Sequence, residues 1–167
     1  RSGRAPVTEQ ATRIILKAEN LGTNAQEPSE GPIANLIDGH TATFFHTAWS
    51  VAIPGPHWLQ IRLPEALTEG HWKFWYAPRN NGQQKPTDFD ILVSTGGSDW
   101  TLVKKFTKDE DGLPVTATDA FTSPNRPVTQ PFDHIRMVVN AVNSGEVFCT
   151  MSEFRLWQVK VVDPEAE

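Results

Sequence analysis

The chain reads as an all-β protein, an antiparallel sandwich or barrel of about eight short strands. Three observations carry that reading. Apolar residues recur with period two in five separate stretches, turn-forming clusters punctuate them at short intervals, and no stretch of twelve or more residues holds an apolar stripe at helical spacing.

Taken in order, Arg1-Ser2-Gly3-Arg4 opens a charged, Pro- and Gly-bearing segment, read as a leader or linker over residues 1–10. The domain proper is placed at residues 11–160. Residues 13–18 (Arg-Ile-Ile-Leu-Lys-Ala) predict a first strand, and residues 19–32, rich in Asn, Gly, Ser and Pro, predict a polar loop. From His57 the alternation becomes clear, with Leu59, Ile61 and Leu63 on one face and Gln60 and Arg62 on the other, as a half-buried strand demands. The same pattern places Trp72, Phe74 and Tyr76 inward, then Phe89, Ile91 and Val93, then Ile135, Met137 and Val139, then Phe154 and Leu156. Residues 100–106 and 120–122 predict weaker strands. Turn-rich joints fall at 77–86, 94–98, 108–114 and 124–131, and residues 161–167 form an acidic tail.

A length of 167 residues fits one domain. Hydrophobic content of 38% and charged content of 21% allow a sizeable core and argue against wholesale disorder. A net charge of −5 with no dense Lys/Arg cluster lacks the footprint of a nucleic-acid binder. No apolar run approaches the roughly 18 residues of a membrane helix, so no membrane insertion is expected. Cys149 is the only cysteine, which excludes an internal disulfide, a thiolate zinc site and a redox pair, and its apolar flanks predict a buried, inert thiol. Six tryptophans and nine phenylalanines against one tyrosine either fill a thick core or are partly displayed for binding.

Residues 36–50 concentrate the chemistry. The Asp38-Gly39 pair makes a tight reversal, and Thr43 follows five residues after Asp38. A loop curling back would bring a carboxylate, a hydroxyl and several carbonyls around one hard cation such as calcium, although an ordinary Asp-Gly turn is the simpler reading. His46, between Phe45 and Thr47 and three residues before Trp49, is either a packed histidine or half of a sugar site. In the second case the imidazole bonds a hydroxyl while the indole stacks on the sugar's C–H face. Arg79 follows a strand on a loop and is either solvated or a planar fork for adjacent hydroxyls. Catalytic motifs are lacking: there is no nucleophile elbow, His-Glu-x-x-His, P-loop or dinucleotide glycine pattern. Asp88 and Asp90 alternate with Phe89 and Ile91, so both are expected to face water rather than flank a scissile bond.

Several ordered motifs resemble the discoidin, or coagulation factor 5/8 type C, superfamily over residues 14–158. They are Asp38-Gly39 with Thr43, Phe45-His46-Thr47-Ala48-Trp49-Ser50, Pro56-His57-Trp58-Leu59-Gln60-Ile61 and Tyr76-Ala77-Pro78-Arg79. Phe89-Asp90-Ile91-Leu92-Val93-Ser94, Asp99-Trp100, Ile135-Arg136 and Ser152-Glu153-Phe154 follow in the same order. The chain looks most similar to bacterial carbohydrate-binding module family 32. That resemblance implies an eight-stranded jelly-roll β-sandwich of the galactose-binding-domain type, with loops gathered at one end and a structural calcium. Carried over by position, the calcium would be held by Asp38, Thr43 and Glu153 with carbonyls near Asn35 and His40. His40 departs from the Asp or Asn usual in the family, so the site depends on His40 lending its carbonyl rather than its side chain. The implied sugar site comprises His46, Trp49, Arg79, Glu30 and Phe148, with Asn81 adding an amide. The function implied is non-catalytic recognition of terminal galactose- or N-acetylgalactosamine-type sugars of glycans. The module would be monomeric, attached to other domains of a secreted, periplasmic or cell-surface bacterial protein. The alternative is a structural or protein-interaction domain that keeps the fold without the sugar.

Overall fold

Alternating side chains give each long strand one apolar face, and two sheets bury those faces against each other. The computed structural model describes residues 3, 5–116 and 119–165. In chain order its strands are β1 (Thr8–Ile14), β2 (Leu21–Thr23), β3 (Phe45–His46), β4 (His57–Leu67), β5 (His71–Ala77) and β6 (Pro86–Ser94). They continue with β7 (Thr101–Thr107), β8 (Phe121–Thr122), β9 (Arg126–Pro127), β10 (Phe132–Val142), β11 (Thr150–Met151) and β12 (Glu153–Val162). One sheet has the order β1-β12-β5-β8 with β9 also on β5, the other β2-β4-β10-β6-β7, and β3 pairs with β11. Every pairing is antiparallel, giving the expected jelly-roll sandwich.

The first strand differs from the expectation at 13–18. It lies at Thr8–Ile14 and pairs with β12 from Thr8↔Val162 to Ile14↔Leu156. It is an edge strand whose side chains are all exposed but the last, so main-chain bonding alone sets its place. The apolar Ile15, which drew the reading later, is 69% exposed. The acidic-tail reading likewise starts inside β12, which runs to Val162.

Phe74 stands at the centre of the core. Its ring packs on Trp72, Phe89, Phe106, Phe121 and Phe154, with centroid separations of 5.4 to 6.2 Å. Trp72 is the one tryptophan in this core. Four others lie half-buried, each with a cation over its ring. Arg136 lies between Trp58 and Trp100 at 3.9 and 4.1 Å, Arg155 covers Trp75 at 4.5 Å, and Lys73 covers Trp157 at 5.5 Å. Asp88 and Asp90 point outward as expected, both bridged to Lys105. The registers that set Glu153 opposite Ala77 and Thr150 opposite His46 bring the ends of β3, β5, β11 and β12 together, and the site-bearing loops gather there.

Replacing Phe74 with Ala removes the shared packing partner of five aromatic rings. Urea denaturation is expected to show a loss of about 3–5 kcal/mol, against about 1 kcal/mol for Trp157→Ala, which gives up chiefly a cation–π contact.

Candidate functional site

Two loops, 24–32 and 47–56, are held together by the carboxylate of Glu27. Only 2% exposed, it accepts hydrogen bonds from the backbone N–H of Ser29 (3.0 Å), Trp49 (3.1 Å) and Ser50 (2.8 Å). The hydroxyls of Ser29 and Ser50 donate to it as well. Burial works against ionisation, but the bonds from Ser29, Ser50 and Trp49 outweigh it and hold the carboxyl far below the usual carboxylate range.

A second buried group fixes the same segment from beneath. His57 Nε2 donates to the carbonyl of Ile53 at 2.8 Å, which leaves Nδ1 of the neutral ring to accept from Thr47 Oγ1 at 2.8 Å. Thr47 Oγ1 in turn accepts from the N–H of Cys149 at 2.8 Å, tying the 47–56 loop to the chain entering β11. Cys149 is 4% exposed, and burial pushes its thiol up to about 12, as expected of an inert packing residue.

On this base a cluster of side chains converges. His46, only 4% exposed, has Nδ1 2.7 Å from the carbonyl of Thr47 and donates to it, so in the tautomer with Nδ1–H its Nε2 is an acceptor. That nitrogen is 3.9 Å from Glu30 Oε1, which also accepts from Trp49 Nε1 at 3.1 Å. The His46 ring has Trp49 at 6.3 Å, Phe148 at 5.7 Å and Phe44 at 6.2 Å. The Arg79 guanidinium lies 3.7 Å over the Phe44 ring, and its Nε is buried without a hydrogen-bond partner. Trp49 is 50% exposed, so an indole face is open to a ligand. Thus Glu30, His46, Trp49, Arg79 and Phe148 come together. Asn81 is exposed and caps its own turn, its side-chain oxygen accepting from Gln83 N–H at 3.0 Å.

The residues expected around calcium also meet. Thr43 Oγ1 donates to Asp38 Oδ2 and to the His40 carbonyl, and His40 N–H bonds Asp38 Oδ1 at 2.9 Å. Glu153, with no exposed surface, accepts from Gly39 N–H at 2.7 Å, while its Oε2 is buried without a hydrogen bond, 3.9 Å from Arg155 Nε. Burial and the neighbouring Asp38 raise the Glu153 carboxyl. Burial opposes ionisation of Asp38 too, but bonds from Thr43 and His40 keep it low. Among the described residues no three His, Cys, Asp or Glu side chains cluster for a metal. The set is instead two carboxylates, a hydroxyl and carbonyls, and its orphaned buried oxygen fits an oxygen-seeking cation. His40 meets Asp38 and Thr43 through its backbone N–H and carbonyl. The Asn35 carbonyl accepts from Asp38 N–H at 3.4 Å, and its side chain donates to the Phe44 carbonyl at 2.9 Å.

Sequence reasoning missed Glu27 and Phe44. Phe44 had a signal, since it sits two residues before His46 and alternation puts the two on one face. Glu27 had none, because the partners that fix it across the site, Trp49 and Ser50, lie on a loop some twenty residues away.

The Glu27 carboxyl is depressed, so its stabilisation is fully present above its ordinary value of 4.5 and is lost progressively as pH falls from there toward its lower native value. Chemical denaturation between pH 7 and pH 3 is expected to show a steep acid-side loss for the unmodified chain. Glu27→Gln is expected to start less stable at pH 7 and to flatten that slope.

Comparison with known proteins bears on the same residues. A family model described as F5/8 type C domain matches residues 20–154. A sialidase of Micromonospora viridifaciens is 29% identical over 154 residues, covering 89% of this chain but 22% of that protein, so the chain spans about a fifth of its length. Among solved structures, CpGH89CBM32-5 of Clostridium perfringens, in complex with GalNAc-β-1,3-galactose, has a TM-score of 0.70 at 18% identity, covering 87% of this chain and 99% of that one. The family 32 CBM of C. perfringens NanJ, in complex with galactose, has a TM-score of 0.63 at 22% identity, covering 90% and 100%. The CBM32-1 and CBM32-2 domains of C. perfringens ZmpB, in complex with GalNAc, give 0.66 at 17% identity, covering 86% and 35%. At these identities the structures speak for the fold, which is that of CBM32 modules, and the match across residues 20–154 makes the chain a member of the F5/8 type C domain family.

Proposed function

We propose that the domain is a non-catalytic module binding a terminal galactose- or N-acetylgalactosamine-type sugar of a glycan, with a structural calcium. The observation that carries this reading is the convergence of Glu30, Phe44, Trp49 and Phe148 around His46, with Arg79 stacked on Phe44 and the Trp49 indole half-exposed. Three structural neighbours solved with galactose, GalNAc or a disaccharide of the two support it.

Each residue has a role its chemistry suits. His46 Nε2 accepts a hydroxyl hydrogen, and Arg79, braced on Phe44, donates to neighbouring hydroxyl oxygens. Glu30 accepts a second hydroxyl hydrogen and, through Trp49 Nε1, holds the indole that stacks on the sugar's apolar face. A carboxylate at the rim disfavours an anionic sugar, so a neutral hexose is the better occupant. With so few contacts the expected affinity is near millimolar, roughly −4 kcal/mol, and stronger attachment would come from multivalency. The module would serve a larger protein, as its span of 22% of the sialidase relative suggests.

Calcium would be held by Asp38, Thr43 and Glu153 with the His40 carbonyl and, through its carbonyl, Asn35. When bound it would add positive charge beside Asp38 and Glu153, where Arg155 Nε lies 3.9 Å from Glu153 Oε2. These residues tie the loop before β3 to the first residue of β12, and so steady the approach to Phe44 and His46.

Titration with methyl galactoside and N-acetylgalactosamine, followed by NMR, is expected to give millimolar binding. Trp49→Ala and Arg79→Ala should each weaken it at least tenfold with little change in melting temperature. A folded domain that binds nothing across a broad glycan array would overturn the reading.

Chelation is expected to lower the melting temperature and added calcium to restore it, because a ligand of the native state stabilises by mass action. Glu153→Gln should reproduce the chelated protein and no longer respond to calcium in differential scanning fluorimetry.

A further inference from the structure

Beside the sugar cluster lies an open groove of about 360 Å³ lined by Trp49, Val51, Ile53, Pro54, Val147 and Phe148, with Ala48 and Ala52 completing it. No charged or hydrogen-bonding side chain lines it apart from the indole of Trp49, whose N–H is already engaged by Glu30. Trp49, Val51 and Val147 are 50%, 45% and 46% exposed. Large apolar side chains exposed together, rather than scattered singly, mark a contact surface.

The groove is built rather than left over. The bond from His57 Nε2 to the Ile53 carbonyl and the Thr47–Cys149 bond fix its two walls from below, and Glu27 fixes Trp49 and Ser50. A side-chain carbon at Gly55 would come within 2.4 Å of Val147, so the two walls meet closely at its end. The buried polar network therefore holds these apolar side chains out toward solvent. Trp49 and Phe148 belong both to this groove and to the ring of residues around His46, which makes the two one continuous surface.

We infer that the groove is a subsite for an apolar aglycone, and that the preferred ligand is a glycoside carrying a short hydrocarbon or aryl group next to the bound sugar. This extends the sugar-binding reading and rests on it. Polar hydroxyls passing beyond Trp49 would meet no partner along the lining, whereas methylenes would lose water against Val51, Ile53 and Val147. The uncharged lining suits a neutral apolar group and offers nothing to a phosphate or carboxylate.

The test compares methyl and hexyl galactosides, in both anomers, below the critical micelle concentration of the hexyl compounds, by calorimetry on the unmodified chain and on Val51→Ser/Val147→Ser. Both positions are exposed and outside the sugar ring. In one anomer the hexyl compound is expected to bind about tenfold tighter, about 1.4 kcal/mol, and the double variant should lose that gain while keeping its affinity for the methyl glycoside. Equal affinity for methyl and hexyl compounds overturns this inference and leaves the sugar reading intact, as does a hexyl gain that survives in the double variant. Failure to bind any of the four glycosides overturns the sugar reading and the inference with it. Binding to glycan-free phosphatidylcholine vesicles, lost in the double variant, would make the groove a lipid-surface contact and also overturn it.

Discussion

Glu27 is the interaction on which the loop-bearing end of the molecule depends. A buried carboxylate without a counter-ion is costly unless its lone pairs are filled, and here backbone amides and serine hydroxyls from two loops fill them. Because the amide donors belong to Ser29, Trp49 and Ser50, satisfying the charge fixes the distance between the loop that carries Glu30 and the loop that carries Trp49. The pair Glu30–Trp49 then forms across 3.1 Å between side chains on the two loops that Glu27 ties together. Geometry for binding is thus set by a group that would never touch a ligand.

The same division of labour recurs below the site. His57, Thr47 and Cys149 form a buried chain of donors and acceptors in which the His57 tautomer is dictated by the Ile53 carbonyl. The bond from Gly39 N–H to Glu153 ties the approach to β3 to the start of β12. Three separate polar devices therefore hold three loops onto one end of the sandwich. The aromatic core around Phe74 fixes the sheets but cannot order loops, since loops lack the apolar faces a core needs.

This explains what the sequence did and did not disclose. The inward residues of β4, β5, β6, β10 and β12 were legible because burial imposes period two on the residues themselves. Edge strand β1 was misplaced because an exposed edge is positioned by main-chain bonding, which leaves no mark on side-chain pattern. At the site, His46, Trp49, Arg79, Glu30 and Phe148 were legible by position against a family motif, not by local physics. Glu27 was not, since nothing near it in the chain distinguishes a carboxylate that meets distant amides from one that meets water.

The tryptophans show why composition alone could not decide between core and display. Only Trp72 is core. Trp58, Trp75, Trp100 and Trp157 stand outside it, each with a ring covered by Arg136, Arg155, Arg136 and Lys73 respectively. A cation over the ring occupies the electron-rich face that would otherwise take a sugar's C–H groups. Trp49 alone among the tryptophans outside the core has no cation stacked on it among the described residues. It is held by its N–H edge through Glu30, a contact that fixes the ring while leaving its faces free. The distinction between a decorative and a ligand-ready indole is therefore in which part of the ring the protein grips, and Trp49 is gripped by the part a sugar does not need.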